Sequence, residues 1–131
     1  MIKNSNEEKV IYPQLSYKIV GALFEVYNSL GYGYKEKYYQ RALSEALKGL
    51  GIKFKEQLLS TVKFKNNDIG KIFLDFLIDD KIVLEIKKTD RFSKTEIEQV
   101  LGYLKATNLK LGIIAHFTKD GIKYKRILNI N

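Results

Sequence analysis

Ile72-Phe73-Leu74-Asp75-Phe76-Leu77-Ile78 and Ile82-Val83-Leu84-Glu85-Ile86-Lys87, separated by Asp79-Asp80-Lys81, read as two neighbouring buried strands. An ionised Asp in such an apolar run is costly to bury unless it is paired or bound to a metal. Glu85 and Lys87 are two apart and share a face of their strand, while Ile86 points the other way. A two-residue loop would pair Ile78 with Lys81 and set the two acids on opposite faces. A three-residue loop pairs Ile78 with Ile82 and sets Asp75 opposite Glu85, with Cβ atoms about 4.5–5.5 Å apart. Carboxylates that close repel unless a cation lies between them. The three-residue loop, or an equivalent bulge, is therefore expected. Oxygen ligands of this kind suit Mg²⁺ or Mn²⁺. A buried ion pair between an acid and Lys87 accounts for the same residues equally well.

Working outward, apolar residues from Ser16 to Leu30 recur at helical spacing, and Gly31 and Gly33 end that helix. A second helix is expected from about Lys35 to Leu50, stopped by Gly51. Alternation of period two from Ile52 to Phe64 predicts a half-exposed strand, with a break near Leu59-Ser60. Ser93-Lys94-Thr95-Glu96 has the form of a capping box, opening a helix with Ile97, Val100, Leu101 and Leu104 inward. A buried strand over Leu111–Phe117 and a last strand over Ile122–Leu128 follow. The fold class is α/β: a mixed sheet with helices packed on it, in the order ααβββαβ plus one strand.

The 131 residues fit one domain, expected over residues 14–131, after a loose polar segment over residues 1–13. Without cysteine there is no disulfide, thiolate metal site or cysteine nucleophile. A single histidine, His116, excludes a multi-histidine zinc site. Its apolar strand favours a satisfied core or sheet-edge residue over a catalytic base. The first residues lack the apolar core of a signal peptide. No apolar run nears the roughly 18 residues that span a bilayer. A cytoplasmic protein without membrane contact is expected. The net charge of +8 suits a polyanion such as nucleic acid, although plentiful surface lysine gives the same number.

Further candidates flank the acids. Glu36 opens the second helix, where a favourable helix-dipole interaction is the simpler explanation. Gln99 and Tyr103 lie four apart on the third helix and form, with Glu96, a stripe beside the apolar face. That stripe reads as a partly exposed flank or as a contact to nucleic acid. Lys88, Arg91 and Lys94 cluster just past Lys87, where phosphates would pass. Tyr12, Tyr17, Tyr32, Tyr34 and Tyr38 could stack on bases, but their spacing singles none of them out.

Asp75, Glu85 and Lys87, in that order on consecutive strands after a helix, resemble the PD-(D/E)XK nuclease superfamily. Its core is αβββαβ, the restriction-endonuclease-like arrangement, here with an extra N-terminal helix and a C-terminal strand. Gln99-Val100-Leu101-Gly102-Tyr103 resembles the Q-x-x-x-Y motif of the RecB-like branch. Gly33, Glu36 and Tyr39 match the motif that names the GxxExxY family. The resemblance implies metal-dependent hydrolysis of phosphodiester bonds, in DNA rather than RNA, with Mg²⁺ or Mn²⁺ as cofactor. It implies Asp75, Glu85, the carbonyl of Ile86 and Glu36 as metal ligands, Lys87 as the catalytic lysine, and Gln99 and Tyr103 as substrate supports. The sequence departs from the pattern in having Leu74 before the first acid and His116 in place of a small polar residue. Competing readings are a catalytically silent nucleic-acid-binding module and a subunit of a repair or defence complex. The partner is nucleic acid in the first two, with a homodimer or larger complex in view.

Overall fold

The computed structural model describes residues 11–130, so most of the segment expected to be loose lies outside the described residues. The chain forms α1 (Pro13–Leu30), α2 (Glu36–Gly49), β1 (Phe54–Phe64), β2 (Asn67–Ile78), β3 (Ile82–Lys87), α3 (Lys94–Thr107), β4 (Leu111–Thr118) and β5 (Gly121–Leu128). Helix α1 starts earlier than its apolar spacing suggests, because Pro13 stands in the first turn, where its missing N–H costs nothing. The strands lie in the order β1-β2-β3-β4-β5. Only β3 and β4 are parallel, and α3 is the crossover that a parallel pair requires. The expected mixed α/β architecture is the observed one.

Two apolar layers cover the sheet. One contains Ile19, Leu23, Tyr39, Leu43 and Leu47 from α1 and α2, packed on Phe76, Ile82, Leu84, Ile86, Ile113 and Phe117. The other contains Val100, Tyr103 and Leu104 of α3, packed on Leu74, Val83 and Ile114. At Gly112 a Cβ would lie 2.5 Å from Val100 Cγ1, so only glycine lets α3 approach β4 this closely. On α3 the inward positions are Glu96, Val100, Tyr103 and Leu104, with Ile97 and Leu101 half-buried. The helix is thus rotated from the face that its aliphatic residues alone suggest.

The β1–β2 ribbon does not keep one face inward. Leu74 packs in the α3 layer and Phe76 in the opposite layer, although residues two apart on a regular strand share a face. The switch occurs at Asp75. Pairing passes from Glu56–Phe76 to Leu58–Leu74 and skips Gln57 and Asp75, with Gln57 at φ 56°. This corrects the expected break near Leu59-Ser60: β1 continues through those residues and is bent at Gln57 instead. The bend brings Asp75 to the junction of the two layers.

Candidate metal centre and its flanks

The loop between β2 and β3 sets the site. Asp79 and Asp80 have φ of 53° and 56°, and the Lys81 N–H donates to Ile78 O over 3.0 Å. That is a tight turn of the left-handed kind favoured in hairpins, with Lys81 as one extra residue. Pairing then begins at Ile78–Ile82 and continues through Phe76–Leu84, the register of the three-residue loop. Beyond that pair the carboxylates take over the hydrogen bonding. The Asp75 N–H donates to Glu85 Oε1 over 3.1 Å, and the Ile86 N–H donates to Asp75 Oδ2 over 2.8 Å. Lys87 Nζ stands 3.5 Å from Glu85 Oε2.

The electrostatics are those of two acids crowded into one place. Glu85 is only 5% exposed, and its pKa is pushed up to about 8 by burial and then by the charge of Asp75. Lys87 opposes that rise. Burial also raises Asp75, against the Ile86 N–H bond and the hydrogen bond with Glu85, which lower it. Burial would lower Lys87, but the charges of Glu85, Glu36 and Asp75 outweigh it, and its pKa is raised. Strong perturbation by burial and specific charges is common to functional sites and structural ion-pair networks, and it makes this cluster the candidate site.

Helix α2 presents a polar ridge to this cluster. Glu36 Oε1 accepts the Lys88 N–H over 3.2 Å, which fixes the chain just past Lys87. One turn on, Gln40 Nε2 donates to Asp75 Oδ1 over 2.9 Å. Another turn on, Ser44 Oγ donates to Glu56 Oε1 over 2.8 Å. Gln40 was not among the candidates from sequence. Its signal was available, since Glu36, Gln40 and Ser44 stand at i, i+4 and i+8 on one helix face. The start of α2 is held by Tyr39, which is fully buried and stacked on Phe117. The Tyr39 hydroxyl donates to Gly31 O over 2.6 Å and accepts from the Tyr34 N–H over 3.3 Å. Gly33 between them has φ 119°, a conformation that side chains resist.

On the other side, the capping box of α3 is present as expected. Glu96 Oε1 accepts the Ser93 N–H over 2.9 Å and also lies 2.8 Å from His116 Nε2. His116 is fully buried in a central strand and stacked on Phe92, so Glu96 points inward, away from any outer stripe. Gln99 Nε2 donates to Phe73 O over 2.8 Å and ties α3 to β2 two residues before Asp75. Tyr103 is 5% exposed within the α3 layer, and burial raises its hydroxyl pKa. Lys88, Arg91 and Lys94 follow the site through the β3–α3 connection. Arg91 and Lys94 are exposed, and Lys94 pairs loosely with Glu98 at 3.9 Å. Elsewhere, a cavity of about 550 Å³ lined by Tyr12, Lys18, Ile52 and Asp79 lies near the β2–β3 turn and holds none of these groups.

Among the described residues no three acidic or imidazole side chains gather closely enough to hold a metal by themselves. The donor set nevertheless fits a hard divalent cation. Mg²⁺ keeps several waters and is commonly held by one or two carboxylates. Asp75 and Glu85 supply two carboxylates whose mutual repulsion a cation would relieve, and Ile86 supplies backbone beside them.

The family pattern described as the PD-(D/E)XK nuclease superfamily matches residues 13–127. Among solved structures, the chain is similar to SSO0001, at 16% identity and a TM-score of 0.50, covering 89% of this chain and 78% of that one. It is also similar to the alkaline exonuclease LHK-Exo from Laribacter hongkongensis, at 10% identity and a TM-score of 0.50, covering 88% and 82%. At such identities the likeness is one of fold. A comparison with curated proteins finds no significant match.

Proposed function

The chain belongs to the PD-(D/E)XK nuclease superfamily, and from that premise we propose a metal-dependent nuclease that hydrolyses phosphodiester bonds, in DNA rather than RNA. The observation that carries this reading is the Asp75–Glu85 pair, Glu85 buried and Asp75 half-buried, with Lys87 against it. Asp75, Glu85 and the Ile86 carbonyl are the proposed ligands for Mg²⁺ or Mn²⁺, with Glu36 approaching from α2. A bound divalent cation supplies charge stabilisation to the phosphoryl group and makes a coordinated water more acidic. Lys87, held charged by its acidic neighbours, steadies negative charge as it develops and orients the attacking water. Gln40 and Gln99 are positioning residues: one holds the Asp75 carboxylate, the other the strand before it. Lys88, Arg91 and Lys94 offer cations along the path of the backbone. Tyr103 acts through packing of α3 beneath the ribbon.

The finer assignment to a RecB-like, GxxExxY-type protein is supported by the joint work of Gly33, Glu36 and Tyr39 at the start of α2. Residues 14–131 are taken as one domain. No helix among the described residues is long and apolar enough to cross a membrane, and a cytoplasmic location is proposed. The second reading, a silent nucleic-acid binder, is favoured by one observation: both acids accept backbone N–H bonds from the facing strand, a structural role that needs no catalysis.

Labelled single- and double-stranded DNA and RNA incubated with Mn²⁺, Mg²⁺ or EDTA separate the two. A nuclease cleaves only with metal, and Asp75→Ala abolishes cleavage while binding persists. Lys87→Ala is expected to cost about 10²–10³-fold, the scale for losing one charge-stabilising donor. Binding without cleavage in any condition would leave the silent module as the better reading.

A further inference from the structure

Three exposed tyrosines lie along the segment that leads into Glu36. Tyr32, Tyr34 and Tyr38 are 44%, 47% and 43% exposed. Scattered surface aromatics need no explanation, but these are neither scattered nor loose. Tyr34 and Tyr38 meet edge to face at 6.2 Å. The Tyr34 backbone is pinned to the Tyr39 hydroxyl, and Gly31 and Gly33 turn the chain with φ of 72° and 119°. Cations sit over the rings: Lys88 Nζ is 5.1 Å from the centre of Tyr32, and Lys37 Nζ and Arg41 Cζ are 5.4 and 5.9 Å from that of Tyr38. The Lys88 backbone N–H is the group that Glu36 accepts, so the residue whose side chain lies over Tyr32 is tied to the start of α2, one turn before the Gln40 that holds Asp75.

We propose that Tyr32, Tyr34 and Tyr38 form a platform on which unpaired bases stack, so that the substrate reaches the Asp75–Glu85 cluster as a single strand. Every base has a π-face, so such a platform needs no sequence, only bases freed from pairing. A duplex buries those faces in its own stack and offers only its edges and backbone. The flanking Lys37, Arg41 and Lys88 complement the phosphates between stacked bases. A protein partner is disfavoured because the cations beside Tyr32 and Tyr38 complement a polyanion. This inference rests on the nuclease reading for the position of the scissile bond, and its test does not use cleavage.

The measurement is fluorescence anisotropy in EDTA with a labelled single strand of about a dozen nucleotides, a matched duplex, and an abasic strand of equal length. Wild type is expected to prefer the base-bearing single strand over both. Tyr32→Ala and Tyr38→Ala should each weaken that complex by about fivefold or more, the scale for one stacked base. Affinity for the abasic strand should not change. Tyr32→Phe and Tyr38→Phe keep the ring and should retain binding, which excludes loss of fold as the cause. Equal losses on abasic and base-bearing strands, or a preference for duplex that the tyrosine variants leave intact, would overturn the platform. Cleavage of the wild type with Mn²⁺ is scored separately. Cleavage with unaltered binding in the Ala variants sinks the platform and keeps the nuclease. Stacking without cleavage keeps the platform and sinks the nuclease.

Discussion

Gln40 Nε2 donates to Asp75 Oδ1 across 2.9 Å, joining helix α2 to the bend of β2 at the acid that the ribbon turns toward the site. The bond holds one carboxylate oxygen and leaves the orientation of the group fixed by two donors, since Oδ2 takes the Ile86 N–H. Partners of this sort govern how well a carboxylate presents itself to a metal.

Gln40→Ala should therefore weaken Mg²⁺ or Mn²⁺ binding by about 10–100-fold, the usual cost of losing such a partner. The fold should change little, because Gln40 is only half-buried. Titration of Mn²⁺ followed by calorimetry measures the affinity directly. Unchanged affinity would show that the Ile86 N–H alone orients Asp75.

A pH dependence follows from Glu85. Its carboxyl titrates near 4.5 when unperturbed and near 8 in the fold. Between those values the native state binds more protons than the unfolded state, so stability falls as pH rises through the window. The raised pKa of Asp75 adds in the same direction. A tenfold change in proton affinity is worth about 1.4 kcal/mol, so the loss is on the order of a few kcal/mol. Without metal, the melting temperature should fall from about pH 5 to about pH 9. Millimolar Mg²⁺ should offset the fall at the alkaline end, because the cation replaces the proton. Glu85→Gln should flatten the profile and abolish the Mg²⁺ effect. A melting temperature that rises with pH in EDTA would sink the description of Glu85 as an acid whose proton is held by burial and by the charge of Asp75.

The meeting of the acids was legible in the sequence because strand register is arithmetic: a three-residue loop starts pairing at Ile78–Ile82 and brings Asp75 and Glu85 to the same end of the ladder, just beyond Phe76–Leu84. The capping box at Ser93 was legible because it is local. The bend at Gln57 was not, because a left-handed glutamine has no propensity signal. The helix face of Gln40 was legible from its spacing to Glu36 and Ser44, but its partner was not, because Asp75 is 35 residues away and only packing of α2 on the sheet joins them. Periodicity alone set Tyr103 on a flank, whereas α3 turns it inward under the ribbon. The second bond of Glu96, to His116, likewise depends on where β4 lies.

The hydroxyl of Tyr39 gives the last test, because it separates the ring from what the ring carries. The ring stacks on Phe117 with centres 4.2 Å apart, and Tyr39→Phe leaves that packing in place. The variant removes the donor to Gly31 O and the acceptor for the Tyr34 N–H. Losing hydrogen bonds at a buried position costs about 1–3 kcal/mol, or a drop in melting temperature of roughly 3–10 °C for a domain of this size. The local consequence should be larger than the global one. Residues 31–38 carry Glu36 and lose two of the bonds that shape their turn, whereas the sheet loses none. Hydrogen exchange should therefore quicken at the amides of residues 31–38, while Ile82–Ile86 and Leu111–Phe117 keep their protection. Cleavage should fall with it, through a Glu36 that no longer holds the Lys88 N–H in place. Uniform loss of protection across the sheet would mean that the hydroxyl supports the whole core instead of the turn.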